Sequence, residues 1–351
     1  MSNLLDKLKK NSTIKDTSIL SKSKFFTDKD MISTEVPMVN VALSGQLDGG
    51  LTPGLTMWAG PSKHFKTAFS LLMAKSYLDK YPDAILLFYD SEFGTPIKYF
   101  ETFNIDKERV LHTPLTDIEQ LKFDIMKQME SLVREDKVII IIDSIGNLAS
   151  KKEVDDALEG KSAADMTRAK QIKSLFRMVT PHLTMKDIPM IVVNHTYKTM
   201  ELYAKDVVGG GTGSYYSADN IYILGRQQEK TGTEITGYDF IINVEKSRYV
   251  KEKSKIPISV AFEGGIQKYS GLIDIAIEGG FVSKPSPGWY AKIDQTTGEI
   301  GNKMRFDATQ TAEFWEPLLQ NDDFKNFVKL KYGISYGSIL GETPVLEEEE
   351  N

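Results

Sequence analysis

From Leu55 onward, short apolar runs alternate with segments of helical length. Leu55–Ala59 predicts a strand, Thr67–Lys80 a helix, Ala84–Tyr89 a strand and Asp117–Arg134 a helix. Val138–Ile142 is an unbroken aliphatic strand. A long helix is expected at about Ala164–Met185, bent or ended by Pro181, and Ile188–Val193 is the next strand. Continuous apolar strands separated by helices read as an α/β fold, a mostly parallel central sheet covered on both faces.

After Ile221 the pattern changes. Tyr222–Arg226 and Tyr238–Val244, joined by the turn-rich Lys230–Gly237, predict an antiparallel hairpin. Ile256–Phe262 adds a strand, Gly264-Gly265 a turn and Gly271–Glu278 a short helix. From Phe281 the chain carries its own aromatic set (Trp289, Tyr290, Phe306, Phe314, Trp315, Phe324, Phe327), enough for a small separate core. The expected organisation is an arm at 1–30, a large core at 31–270, a small α+β C-terminal domain at 271–340 and an acidic tail at 341–351. A second Gly-rich segment, Val208-Gly209-Gly210-Gly211-Thr212-Gly213, lies in about twenty aperiodic residues, a length that marks a functional or disordered loop.

Composition narrows the chemistry. The 351 residues are 41% hydrophobic and 26% charged, as in soluble globular proteins. No cysteine is present, which excludes disulfides and thiolate metal sites, and the histidines at 64, 112, 182 and 195 form no pair at metal-ligand spacing. Met1–Lys10 lacks the apolar core of a secretory signal, and Val138–Ile142 is too short to span a bilayer. The expected location is the cytoplasm, with no membrane partner. Net charge is −6, but residues 1–30 carry seven Lys against four Asp, and 243–255 carry Lys246, Arg248, Lys251, Lys253 and Lys255 against two Glu. That distribution suits a polyanionic partner and suits ordinary solvated surface equally.

The densest candidate chemistry follows the first strand. Gly60-Pro61-Ser62-Lys63-His64-Phe65-Lys66-Thr67 has the spacing of a phosphate-binding loop between strand and helix. Backbone N–H groups and the helix dipole would hold phosphates, Lys66 would reach the β- and γ-phosphates, and Thr67 would bind Mg²⁺. Phe65 stands where the second glycine belongs, and a bare strand-turn-helix with an exposed lysine fits this stretch alone as well. Three more strand ends support ATP with Mg²⁺. Val138–Ile142 ends in Asp143, the place for a metal-holding acid. Leu86–Tyr89 ends in Asp90-Ser91-Glu92, candidates for the base that activates water, and Ile188–Val193 ends in Asn194-His195.

With these motifs the chain resembles the RecA-like recombinases, most closely the UvsX recombinases of tailed bacteriophages, from about Met38 to Tyr332. The resemblance is carried by Gly60-Pro61-Ser62-Lys63, Phe88-Tyr89-Asp90-Ser91-Glu92-Phe93-Gly94, Ile142-Asp143-Ser144 and Val192-Val193-Asn194-His195. It continues through Gly209-Gly210-Gly211-Thr212-Gly213, Asn243-Val244-Glu245-Lys246-Ser247-Arg248, Gly264-Gly265-Ile266 and Gly288-Trp289-Tyr290. Phe before the loop lysine is itself similar to the UvsX pattern.

The resemblance implies a RecA-like P-loop ATPase core, an N-terminal polymerisation arm and specific roles. Glu92 matches the catalytic carboxylate, Asp143 the Walker B acid and Tyr99 an aromatic that stacks on adenine. His195 stands where bacterial RecA has a γ-phosphate-sensing glutamine, a departure from the pattern. Lys246 and Arg248 match cations that reach a neighbour's ATP. The segments at about Lys151–Ala164 and Tyr197–Gly213 match two DNA-binding loops; Lys198 and Lys205, with Arg168 and Arg177 between the two segments, would neutralise phosphates, and Gly211 and Gly213 would let the backbone approach DNA. Within the arm, Phe25 and Phe26 are the expected anchors. The implied activity is ATP-driven strand exchange on single- and double-stranded DNA, independent of sequence, in a helical filament. Implied partners are a phage mediator and single-strand-binding proteins in a bacterial cytoplasm. A hexameric replicative helicase and a nucleotide-regulated DNA-binding adaptor without turnover are the competing readings.

Overall fold

The computed structural model describes residues 2–25, 29–160, 166–200, 206–231 and 234–334. Two compact units divide the chain, residues 1–32 with 51–221 and residues 33–50 with 222–351. The expected core at 31–270 therefore contributes to both.

The first unit is built on five parallel strands: β1 (Gly54–Ala59), β2 (Ile85–Asp90), β3 (Val110–Pro114), β4 (Val138–Asp143) and β5 (Pro189–Asn194). Their order is β1-β5-β4-β2-β3. β4 is buried along its whole length, because a parallel strand covered on both faces has no solvent side. β3 is the edge strand, largely exposed and ending at Pro114, so it lacks the apolar run that would announce it in the sequence.

Helix Lys66–Lys80 packs on β1, β2, β4 and β5. Helix Ile118–Ser131 packs on helix Thr167–Lys186, which also touches β1. Asp117 starts Ile118–Ser131 by accepting from the Gln120 N–H, a side-chain cap. Helix Thr167–Lys186 continues through Pro181, so of the two expected outcomes the proline does not end it, and the helix stops at Asp187 in the left-handed region. Pro181 and Arg177 are both exposed, so water can take the Arg177 carbonyl that the missing proline N–H leaves open.

The described residues of the Gly-rich stretch and its approach form regular elements. β6 (Thr196–Lys198) and β7 (Asp206–Val208) pair antiparallel, and helix Thr212–Ser217 follows. A Cβ on Gly213 would lie 2.5 Å from the Lys173 Cβ, so this glycine is required for close helix packing. No helix among the described residues is long and apolar enough to cross a membrane.

In the second unit, β8 (Asn220–Thr231) neighbours β9 (Glu234–Lys246), which pairs antiparallel with β10 (Lys255–Ala261), and β10 in turn with β11 (Gly265–Ile266). The β8–β9 strands run well beyond the residues expected from alternation alone. A smaller sheet of β12 (Val282–Ser286), β13 (Trp289–Lys292) and β14 (Met304–Arg305) accompanies helices Ala312–Leu319 and Asp322–Tyr332. Phe281 meets Phe324 edge-on at 5.0 Å, and Trp315 is fully buried, the small aromatic core that the sequence predicts. Trp289, Tyr290 and Phe306 lie outside that core, with cation partners Arg305 and Lys284 over the first two rings.

Helix Pro37–Ser44, buried throughout, ends at Gly45 in the left-handed region, where a Cβ would meet the Gly333 backbone at 2.7 Å. Gly45→Ala is therefore expected to destabilise the protein by more than about 1 kcal/mol. Urea unfolding checks this, and an unchanged midpoint would contradict the packing.

Candidate nucleotide site

The register of the parallel sheet assembles the site. Asp90 at the end of β2 lies directly across from Asp143 at the end of β4, and Ala59 of β1 across from Asn194 of β5. Gly60–Thr67, Glu92, Asp143-Ser144 and Asn194-His195 therefore leave the sheet along one carboxyl edge, where open α/β sheets bind ligands.

The loop after β1 achieves its curvature without the second glycine. Gly60 has φ 156°, Lys63 φ 59° and Phe65 φ 58°, so Phe65 itself adopts the left-handed conformation that glycine favours. For a residue with a Cβ this conformation costs about 1–2 kcal/mol. Helix Lys66–Lys80 begins with no side-chain cap and no acid in its first turn, in contrast to the Asp117-capped helix. Its first-turn N–H groups and dipole suit an anion.

Pro61, Ser62 and Lys63 are exposed, and His64 Nδ1 lies 2.9 Å from the Ser62 carbonyl. Lys66 is buried, its ammonium donating to the carbonyls of Gly60 (3.1 Å) and Pro61 (2.8 Å). Burial lowers its pKa, and the charges of Glu92 and Asp143 oppose that shift.

Thr67 Oγ1 donates to Asp143 Oδ2 at 2.6 Å, while Asp143 Oδ1 is buried with no hydrogen-bond partner. Burial raises the Asp143 carboxyl to about 6; the neighbouring charges of Glu92 and Asp90 add to that, and the Thr67 bond and Lys66 oppose it. An orphaned carboxylate oxygen beside a hydroxyl is a fitting place for Mg²⁺. No group of three or more acidic or histidine side chains among the described residues could hold a metal by itself.

Glu92 sits on the turn after β2. Asp90 Oδ1 accepts from the N–H groups of Glu92 (3.0 Å) and Phe93 (2.8 Å), which fixes that turn. Glu92 Oε1 receives two donors, His195 Nε2 at 2.9 Å and the Ser144 hydroxyl. The His195 hydrogen bond foremost, then those of Ser144 and the charge of Lys66, outweigh desolvation and lower Glu92 to about 2. Glu92 is thus a carboxylate at every working pH.

His195 in turn connects to the Gly-rich segment. Its carbonyl accepts from the Gly209 N–H (2.9 Å), and Asn194 Nδ2 donates to the Gly209 carbonyl (2.8 Å). Gly146 has room for no side chain, since a Cβ there would approach His195 Cδ2 to 2.7 Å. Tyr99 is half-buried on helix Ile97–Thr102, edge-on to Phe103 at 5.6 Å; burial raises its pKa, with Asp143 adding to the shift.

The expected DNA-contacting residues separate by environment. Arg177 is exposed, and Lys198 pairs with Asp206 at 2.8 Å on the surface hairpin. Gly211 is exposed at φ 73°, whereas Gly213 is buried against Lys173 and presents no open backbone. Arg168 turns inward, its guanidinium donating to the carbonyls of Leu148 (2.7 Å), Gly146 (2.6 Å) and Ile145 (3.3 Å). It braces the segment after Asp143. Phe25 lies 5.5 Å from Arg134 of its own chain, so this anchor is engaged internally. Lys205 and Phe26 lie outside the described residues. In the second unit Lys246 ends β9 half-buried, and Arg248 is exposed in the turn that follows.

The family model for the RecA N-terminal domain matches residues 3–267, three quarters of the chain. The chain belongs to the RecA family of recombinases. A second model, described as the C-terminal domain of the bacteriophage T4 recombination and repair protein, matches residues 269–328. The recombination and repair protein of Enterobacteria phage T4 is 51% identical over 95% of this chain and 86% of its own length. The RecA proteins of Mycobacteroides abscessus and Paenarthrobacter aurescens are 23% and 24% identical, over 89% and 81% of this chain and 87% and 82% of their own. The RecA-like α/β core with a small C-terminal domain is thereby the fold of this family member.

Sequence reasoning named the carboxylates but missed Ser144, which donates to Glu92, and Ser91, which is bonded to the Ser144 backbone. The available signal was the dipeptide Asp-Ser, present at the ends of both β2 and β4.

Two expectations follow. Because Glu92 is held below its ordinary value of 4.5, its cluster contributes stability above about pH 4.5 and loses it as pH falls toward about 2. The difference in urea midpoint between wild type and Glu92→Gln should narrow from pH ~6 to pH ~3; a constant difference would contradict the bonding. Phe65→Val, β-branched in a left-handed position, should destabilise the protein by about 1–3 kcal/mol and weaken ATP binding, whereas Phe65→Gly should bind ATP normally. Equal ATP affinity in both variants would count against the role assigned to this backbone conformation.

Proposed function

We propose that the chain is a DNA-dependent ATPase that forms helical filaments on single-stranded DNA and catalyses homologous pairing and strand exchange in recombination and repair. The observation that carries this reading is the alignment of a phosphate loop, two carboxylates and His195 on one sheet edge of a RecA-family core. ATP binds with its phosphates on Gly60–Thr67, Lys66 at the β- and γ-phosphates and Tyr99 against the base. Thr67 and Asp143 hold Mg²⁺, which would supply charge neutralisation at the phosphates.

Glu92 accepts the proton of the attacking water while Oε1 stays bound to Ser144 and His195. His195 lies between Glu92 and Gly209, so its bonds relate the γ-phosphate region to the segment carrying Lys198, Lys205 and Gly211. Those groups, with Arg177, contact DNA through phosphates and not base edges, which makes binding independent of sequence. Each phosphate neutralised on a single strand contributes about −0.7 to the slope of log affinity against log salt.

Lys246 and Arg248 act in trans on a neighbour's ATP, so turnover requires assembly. The N-terminal arm serves that assembly. Its helix Ser2–Asn11 exposes Leu4, Leu5 and Leu8, an apolar stripe suited to a neighbouring copy. A mediator and single-strand-binding proteins of the phage complete the set of partners, in the cytoplasm of its bacterial host.

Electron microscopy with ATP and single-stranded DNA should show helical filaments, and Arg248→Ala mixed with wild type should give ATPase rates that depend non-linearly on composition. Rings, or rates that merely add, would overturn filament formation and the trans role respectively.

A further inference from the structure

The same dipeptide ends β2 and β4, Asp90-Ser91 and Asp143-Ser144, and the register sets the two pairs side by side. Only the aspartates have an assigned task. The serines form a reciprocal clamp: Ser91 Oγ donates to the Ser144 carbonyl (2.7 Å) and accepts from the Ser144 N–H (3.1 Å). The Ser91 N–H donates to the Asp143 carbonyl (2.9 Å), and Asn147 Nδ2 donates to the Ser91 carbonyl (3.0 Å). Three hydrogen bonds thus join the two strand ends just beyond the last pair of the parallel ladder, and Asn147 adds a fourth from the turn that follows β4.

What the clamp leaves available is the Ser144 hydroxyl, and it donates to Glu92 Oε1. Ser144 is wholly buried. Its backbone N–H and carbonyl are both bonded to Ser91, which immediately precedes Glu92. The other donor to the same oxygen, His195, is more than a third exposed and leads into the β6–β7 hairpin. Of the two donors the serine is therefore the fixed one. Both donors converge on Oε1, so Oε2 can accept a proton from water without either bond being broken.

We propose that Ser144 is a positioning residue for Glu92: clamped to Ser91, its hydroxyl holds one carboxylate oxygen so that the other faces the attacking water. This rests on the reading of Glu92 as the base. The hydroxyl is spent on the Glu92 carboxylate, so it acts through that group on the chemical step and leaves ATP binding alone. A base displaced by a fraction of an ångström loses much of its contribution, which for general-base catalysis is about 10²–10⁴-fold.

The test measures ATP hydrolysis by the full chain at saturating single-stranded DNA. Ser144→Ala should lower kcat by about ten- to a hundredfold and leave KM for ATP within about twofold. Ser144→Thr keeps the hydroxyl and should restore kcat to within about threefold of wild type. Should threonine fail to fold in the buried site, Ser144→Cys, a weak donor of similar size, should fall between serine and alanine. In single-turnover measurements, adding Ser144→Ala to Glu92→Gln should cost no further rate, since a residue that acts through Glu92 has nothing left to position.

Unchanged kcat in Ser144→Ala, a loss confined to KM, or losses that multiply with Glu92→Gln would each overturn the proposal. Normal turnover by Glu92→Gln alone would remove the base reading and the proposal with it. A slow Glu92→Gln beside a normal Ser144→Ala would overturn the positioning role only.

Discussion

The pairing of β2 with β4 is the constraint on which the site depends. Because Asp90 and Asp143 are direct partners in a parallel ladder, the residues after them emerge at one level of the sheet edge. Two carboxylates, Asp143 and Glu92, are thereby held in one partly dry region and must differ in environment. Asp143 is buried and holds one bond to Thr67, and its pKa rises to about 6; Glu92 gathers two donors, and its pKa falls to about 2. Opposite shifts on neighbouring acids separate their tasks. In the proposed reading, the first takes a cation and the second serves as the base.

The phosphate loop depends on the same edge. β1 delivers Gly60 beside the end of β5, and the uncapped helix start leaves its N–H groups for an anion. Phe65 accepts a left-handed backbone that costs stability, a local strain of the kind found where ligand geometry takes precedence over folding. Lys66, buried among loop carbonyls, is kept from wandering into solvent. Beyond His195 the chain is bonded back through Asn194 and Gly209, so the residues nearest Glu92 and those on β6 and β7 share one short stretch of backbone.

Much of this was legible in the sequence, for identifiable physical reasons. β4 shows itself because burial on both faces permits only aliphatic residues, and Glu92 and Asp143 because an acid after such a strand has few other uses. What the sequence hid was whatever depends on a neighbour distant in the chain. β3 is an exposed edge and carries no apolar run. In the chain alone Gly213 reads as open backbone and Arg168 as a surface cation; the structure sets Lys173 against the first and three carbonyls around the second. Pro181 does not end its helix because both it and Arg177 face solvent. Ser91 and Ser144 are ordinary residues in the chain and acquire a function only through register.

The central claim is that the position of the Glu92 carboxylate, and not only its charge, sets the hydrolysis rate. Glu92→Asp separates the two, since it keeps the charge and withdraws the carboxylate by one methylene from Ser144, His195 and the water it serves. Single-turnover hydrolysis on saturating single-stranded DNA, at matched ATP occupancy, is the direct measurement. The account predicts an ATP dissociation constant within about twofold of wild type and a rate at least about a hundredfold lower. A rate close to wild type would contradict it.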